Sequence, residues 1–396
     1  MRTALVWLCL VACGDHTAKP ADAPTSDSHD GPSGDAPASG GLHVVMGSGG
    51  MPGSLVDGAG NTVRLRGADR AGTEYECLSG ALFDGPSDQA SIDAMKTWHI
   101  NAVRVPLNED CWLGINGAPS ATSGQNYRDA IRAFVTLLEQ NNMYVILDLH
   151  WAAPGTQVSN GQLGMADADH APTFWSQVAT AYAADHAWVI FDLFNEPFIS
   201  DWSCWLSGGA CAKDASNATY TTAGMATLLD AVRTAGADNV VIMGGLAYSS
   251  DFSQWLSKVQ TIPQLSNVAP SFHTYTFQSA QTMCPSQYNG YSTSQTCTTG
   301  AQTAQNYGLP PLLAAGFPLV VGEIGIDVYS SSTGSYSTTQ ATQLATWLES
   351  MLTWLDGQGA SYLAWDWNTE ASPLLITNFD GTPTPYFGVT YQAHLH

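Results

Sequence analysis

Two glutamates stand out by what leads up to them. Glu196 follows the run Val189, Ile190, Phe191, Asp192, Leu193, Phe194 within "FNEP", and Glu323 sits in "VVGEIG". The residues before Glu196 favour a buried strand, and Pro197 ends any further ladder hydrogen bonding just after it. Two carboxyls brought together can divide acid–base work, one protonated and donating, the other ionised and attacking or activating water. Scission of a glycosidic bond needs that division. Asn195 adds an amide able to bond a sugar hydroxyl, and Arg104 could keep a nearby carboxylate charged.

The elements that would position these groups alternate. From about residue 60 the apolar runs "TVRLRG", "NAVRVPL", "MYVILDLH", "VIFDLFNE", "NVVIMGGL", "APSFHTYTF", "PLVVGEIG" and "SYLAWDWN" are separated by helical patterns. Ile131, Phe134, Val135 and Leu138 keep an i, i+3, i+4, i+7 stripe, and Leu344, Trp347, Leu348, Met351, Leu352 and Leu355 extend one further. Apolar strands spaced by helices predict a parallel sheet covered by helices. Eight such units fit a (β/α)8 barrel of the α/β class better than an open sheet. An open sheet would carry a nucleotide-binding G-x-G-x-x-G after its first strand, and none is present. "GSGGMPGS" at 47–54 reads as part of a short hairpin before the barrel.

A barrel places its active site at the carboxyl ends of the strands. Arg104 lies in the second strand, His150 ends the third, and Asn195 with Glu196 ends the fourth. His273 and Tyr275 lie on the sixth, Glu323 ends the seventh, and Trp365 and Trp367 end the eighth. Taken singly, a strand arginine or histidine is an ordinary core residue. One polar or aromatic group at nearly every mouth is difficult to attribute to packing.

In this order, "VRVPL", "ILDLH", "LFNEP", "FHTY" and "VVGEIG" resemble the retaining glycoside hydrolases of family 5, the cellulase family, over residues 60 to 370. The resemblance implies that Glu196 is the general acid/base and Glu323 the nucleophile. It implies sugar-site roles for Arg104, His150, Asn195, His273 and Tyr275, with the tyrosine holding the nucleophile. Trp365 would line the sugar site, with Trp367 as the alternative register. An endo-β-1,4-glucanase is expected, needing no metal or organic cofactor and acting as a monomer. Mannanases, lichenases and glycosidases of small glycosides or glycolipids share the same residues, so substrate stays open. A non-catalytic carbohydrate-binding lipoprotein is the rival from another class, but it would be expected to lose an essential carboxylate.

Other residues compete for these roles. Asn108 and Glu109 in "PLNEDCW" form a second Asn-Glu pair, but Asp110 replaces the proline, so they are expected to shape the cleft at most. Asp148 and Asp192 lie inside strands and should form buried hydrogen bonds; Asp366 should alternate away from Trp365, outside the barrel. Trp202 and Trp205 could stack on sugar or pack their loop.

The chain of 396 residues has 12 Lys plus Arg against 34 Asp plus Glu, a formal charge of −22. That balance opposes nucleic acid and anionic headgroups, which require clustered cations. Arg2 and the apolar "ALVWLCLVA" read as an export signal, too short to span a bilayer. "LVAC" resembles a bacterial lipobox, with Cys13 lipidated and residues 1–13 the signal; an ordinary secretory peptide is the alternative. Both export the protein. Residues 14–40 contain no Val, Ile, Leu, Met or aromatic residue and should form an acidic tether, leaving 41–396 as the catalytic domain. Six further cysteines then suit disulfides. Loop-local pairing joins Cys204 to Cys211 and Cys284 to Cys297, leaving Cys77 with Cys111.

Overall fold

The computed structural model describes residues 40–263, 265–276, 300–330, 334–335, 337–370 and 372–396. Its centre is a closed barrel of eight parallel strands. In chain order these are β1 (Arg66–Asp69), β2 (Ala102–Asn108), β3 (Tyr144–Trp151), β4 (Val189–Asp192), β5 (Val241–Gly244), β6 (Val268–Tyr275), β7 (Val320–Gly325) and β8 (Ser361–Ala364). Each pairs with its sequence neighbours, and β8 closes on β1.

The alternation of side chains along the strands explains where the core ends and the site begins. Leu65, Ala102, Ile146, Ile190, Ile242, Ala269, Val320 and Leu363 form one buried cluster inside the barrel. Two residues onward on the same faces stand Arg104, Asp148, Asp192 and Ser271, all buried. The lower layer is therefore apolar and the layer above it charged. Between strands and helices lies the larger core, to which Ile131, Phe134, Val135 and Leu138 contribute from helix Gln125–Gln140. Helix Thr338–Gly357 opens with a capping box between Ser337 and Gln340 and buries the stripe from Leu344 to Leu355 expected of it.

The amino-terminal sheet departs from the expected hairpin. His43–Val45, Ser54–Val56 and Thr62–Val63 form three antiparallel strands. Leu42, Leu55 and Val63 join the cluster inside the barrel. The run "TVRLRG" is therefore divided: its start completes this sheet, and only Arg66–Asp69 enters the barrel. An unbroken apolar run does not mark the point where a chain changes partner.

Disulfides join Cys77 to Cys111 and Cys204 to Cys211, as expected. Cys284, Cys297 and Cys13 lie outside the described residues, as do the leader and nearly all of the tether. No helix among the described residues is long and apolar enough to cross a membrane.

Candidate active site

Arg104 organises the barrel mouth. It is fully buried, and its guanidinium meets four carboxyls: Asp69 (3.1 Å), Asp148 (3.0 Å), Asp192 (3.1 Å) and Glu323 (2.8 Å). One positive charge cannot hold four buried negative ones. Burial pushes the Asp148 carboxyl up to about 7 and that of Asp192 up to about 8, against the opposing pull of Arg104, and raises Asp69 well above its ordinary value. One oxygen of each of these aspartates has no hydrogen-bond partner among the described residues, leaving a position for a proton. Asp148 and Asp192 thus make the buried polar contacts expected of them. Asp69 has no motif to mark it, although it stands four residues beyond Leu65, an even spacing that keeps it on the interior side of the chain.

Glu323 is tied at both oxygens. Oε1 accepts from Arg104, and Oε2 accepts from the Tyr275 hydroxyl at 2.5 Å. His273 Nδ1 lies 3.5 Å from Oε2 and 3.1 Å from Glu196 Oε1, so this ring stands between the two glutamates. Burial lowers the His273 pKa to about 3, leaving a neutral ring that donates from Nδ1. Its other edge faces β7 at Gly322, the extra residue in the β6–β7 register. A Cβ there would fall 2.7 Å from both His273 Nε2 and Ser271 Oγ, so glycine alone fits.

Asn195 and Glu196 both reach the mouth, although adjacent residues of an extended strand face opposite ways. Glu196 has φ 50°, a left-handed conformation uncommon for glutamate, and this turn breaks the alternation. Asn195 Oδ1 accepts from Arg104 at 3.0 Å, and its Nδ2 donates to His150 Nε2 at 3.3 Å. Glu196 turns instead toward His273 and toward Gln162, whose Nε2 donates to Oε2 at 3.1 Å. Burial raises the Glu196 pKa, opposed by Gln162, His150 and Arg104. A proton is thus easier to retain on Glu196 than on an ordinary glutamate.

His150 donates from Nδ1 to Asp148 at 2.6 Å, and burial, aided by Arg104, lowers its pKa to about 4. Its ring stacks on Trp365, with centroids 5.3 Å apart and planes 17° from parallel. The Trp365 backbone N–H donates to Ile324 O at 3.1 Å, which ties this stretch of backbone to the Glu323 strand. The structure therefore gathers Arg104, His150, Asn195, Glu196, His273, Tyr275, Glu323 and Trp365 in one connected mouth.

A model of the family "Cellulase (glycosyl hydrolase family 5)" matches residues 56–371. The chain belongs to that family. It is a glycoside hydrolase of the cellulase family, with the barrel that this membership implies. Endoglucanase E-5 of Thermobifida fusca is 24% identical over 228 residues, which span 56% of this chain and 41% of that protein. A manganese dependent endoglucanase, Eg5A of Phanerodontia chrysosporium, is 26% identical over 200 residues, covering 48% of this chain and 46% of that one. The chain thus spans less than half the length of these relatives. In fold it is similar to the β-glucanase SdGluc5_26A of Saccharophagus degradans, at TM-score 0.62 and 17% identity over 90% of this chain and 93% of that one. The mannanase catalytic domain of Streptomyces sp. SirexAA-E aligns at TM-score 0.56 and 21% identity, over 90% and 92%.

The competing residues of this cellulase-family chain lie elsewhere. Trp367 is fully buried edge-to-face against Trp98, so Trp365 is the register at the mouth. Trp202 and Trp205 pack against each other, and Trp205 Nε1 donates to Gly244 O; they hold their loop together. Glu109 is buried, its carboxyl raised well above the ordinary range by burial and then by Asp167. Asp366 is fully buried, its carboxyl raised well above the ordinary range by burial and by neighbouring Asp69 and Glu74. One atom each of Glu196, His273 and Glu323 lie within 4.8 Å of one another, so a cation could also reach all three.

Two aromatic residues escaped the sequence reading. Phe198 and Tyr248 stack at 5.1 Å and 19° while remaining exposed, just beyond Glu196. Phe198 directly follows the Asn-Glu-Pro motif, the one signal that marks it in the sequence, whereas Tyr248 lies beside no motif.

Proposed function

We propose that this chain is a retaining β-glycosidase cleaving β-1,4-linked glucan by two displacements. The observation that carries the reading is the pairing of Glu196 and Glu323, with a carboxylate oxygen of each within 4.8 Å of the other. Retaining enzymes hold the two carboxyls about 5–5.5 Å apart, whereas inverting enzymes separate them by about 6.5–9.5 Å to admit water. In this account Glu323, fixed by Arg104 and Tyr275, attacks the anomeric carbon. Glu196 gives its proton to the leaving oxygen, then takes one from the water that attacks the glycosyl-enzyme. Asn195 and His150 meet sugar hydroxyls, and the Trp365 face carries the ring on the glycone side.

Glucan is favoured as substrate by the endoglucanase names of both relatives and by a cellotetraose complex of the similar β-glucanase. The Streptomyces mannanase keeps β-mannan as the second reading. Activity on carboxymethylcellulose, β-mannan, mixed-linkage glucan and aryl β-glycosides separates them. Preference for carboxymethylcellulose and mixed-linkage glucan is expected; preference for mannan would replace glucan in the account without touching the mechanism. We further propose export and anchoring through a lipid on Cys13, followed by the acidic tether, supported by "LVAC" after a short apolar run.

A further inference from the structure

We infer that Gln162 is a positioning residue for Glu196, and that Asn108, Glu109 and Asp110 form the scaffold that holds it there. The inference rests on Glu196 being the proton donor and adds what controls it. Gln162 lies within residues 152–170, the long connection between β3 and helix Ala171–Tyr182. A glutamine on a long loop has no fixed aim unless the loop is tied. This one is tied on both sides of Gln162.

On the near side the ties come from the second Asn-Glu pair. Glu109 Oε2 accepts from Ala153 N at 3.2 Å, and Asp110 Oδ2 accepts from Ser159 N at 2.7 Å. Asn108 Nδ2 donates to Ser159 O at 2.7 Å, while its Oδ1 caps helix Glu109–Leu113 at Cys111 N. All three side chains are fully buried. On the far side, the Tyr220 hydroxyl bonds both the amide and the carbonyl of Met165, and Asp167 bridges to Thr222. Finally, Phe198 N donates to Gly164 O at 3.0 Å. Gly164 lies two residues after Gln162 and Phe198 two residues after Glu196, so both side chains spring from backbones bonded to each other.

The chemistry follows from the direction of the bond. An amide N–H on a carboxylate oxygen favours the ionised form and opposes the effect of burial. Glu196 must release a proton and then recover one, so neither form can be strongly preferred. The other groups facing Glu196 are His273 and Tyr275 of β6, Glu323 of β7, His150 and Asp148 of β3, and Arg104 of β2.

The test is Gln162→Leu in the full chain, read in two ways. The first is the carbon-13 carboxyl titration of Glu196, assigned as the resonance lost in Glu196→Gln. It should move to higher pH in Gln162→Leu, and in the same direction by less in Asp110→Ala, where Gln162 is intact but its loop is loosened. The second is kcat/KM. On cellotetraose its alkaline limb should move to higher pH and its maximum fall about tenfold, the scale of a lost hydrogen bond to a charged group. On 2,4-dinitrophenyl β-cellobioside, whose leaving group needs no proton, it should change by less than about twofold. A Glu196 titration that stays put or moves down in Gln162→Leu overturns the role of Gln162. One that moves there but not in Asp110→Ala overturns the scaffold. Equal loss on both substrates in Glu196→Ala would instead overturn the acid/base reading.

Discussion

Arg104 donates to Glu323 Oε1 at 2.8 Å through the same Nη1 that serves Asp69 at 3.1 Å. The group proposed to attack the sugar is therefore held by an arginine that is itself shared among four carboxyls. Three of these are aspartates raised by burial, and their protons limit the negative charge around Glu323.

That sharing has a consequence for stability. Asp148 titrates at about 7 and Asp192 at about 8 in the folded chain, against 3.8 ordinarily, and Glu74 is likewise raised to about 8 by burial. Raised carboxyls bind more protons folded than unfolded, so their contribution is full below about pH 4 and is lost as pH rises through 7 to 8. The buried His150 and His273 act oppositely, but only below their unfolded value of 6.5. Between pH 6.5 and 8 the carboxyls act alone. Urea unfolding at constant ionic strength should show stability falling across this window, with a shallower fall in Asp192→Asn. A flat or rising profile would contradict the assigned protons.

The two tryptophans of "AWDWN" should respond in different ways. Trp367→Ala removes a fully buried indole and should cost about 3–5 kcal/mol of unfolding free energy. Trp365→Ala should leave stability within about 1 kcal/mol but reduce kcat/KM on oligosaccharides at least about tenfold, a loss of about 1.4 kcal/mol in transition-state binding. Denaturation curves beside kinetics decide it; loss of activity confined to Trp367→Ala would place the sugar elsewhere.

Each glutamate has a chemical signature. Glu323→Gly should abolish hydrolysis, with azide restoring turnover and giving an α-glycosyl azide. Glu196→Ala should retain the first step on substrates with good leaving groups, and azide should then accelerate the second and give the β-azide. Exchanged signatures would exchange the two roles.

Export is tested at the cysteines. Cys13→Ser should move the protein from the membrane fraction to soluble or unprocessed material, and wild type found soluble and without acyl label would end the anchor proposal. Digestion without reductant should find Cys284 joined to Cys297, completing the set with the two disulfides observed. A free thiol at either position would refute it.

Much of this was legible in the sequence because it depends on local patterns. Strands buried on both faces read as apolar runs, and a carboxylate at a strand end interrupts such a run visibly. The His-x-Tyr spacing places two side chains on one face of β6, as His273 and Tyr275 are found. What stayed hidden depends on contacts across the chain. Gln162 belongs to a loop with no periodicity, and its meaning arises from ties to residues 108–110 and 220–222. The burial of Trp202 and Trp205 could not be read from their aromatic character, which suits packing and sugar stacking equally. Asp69 looked like one more strand residue until the β1–β2 register set it opposite Arg104.

The most direct test of the double displacement is the anomer released first. Wild-type hydrolysis of cellotetraose, followed by proton NMR from the first minutes, should show the β-anomer before mutarotation supplies the α form. Early appearance of the α-anomer would contradict attack by Glu323 and replace it with direct attack by water.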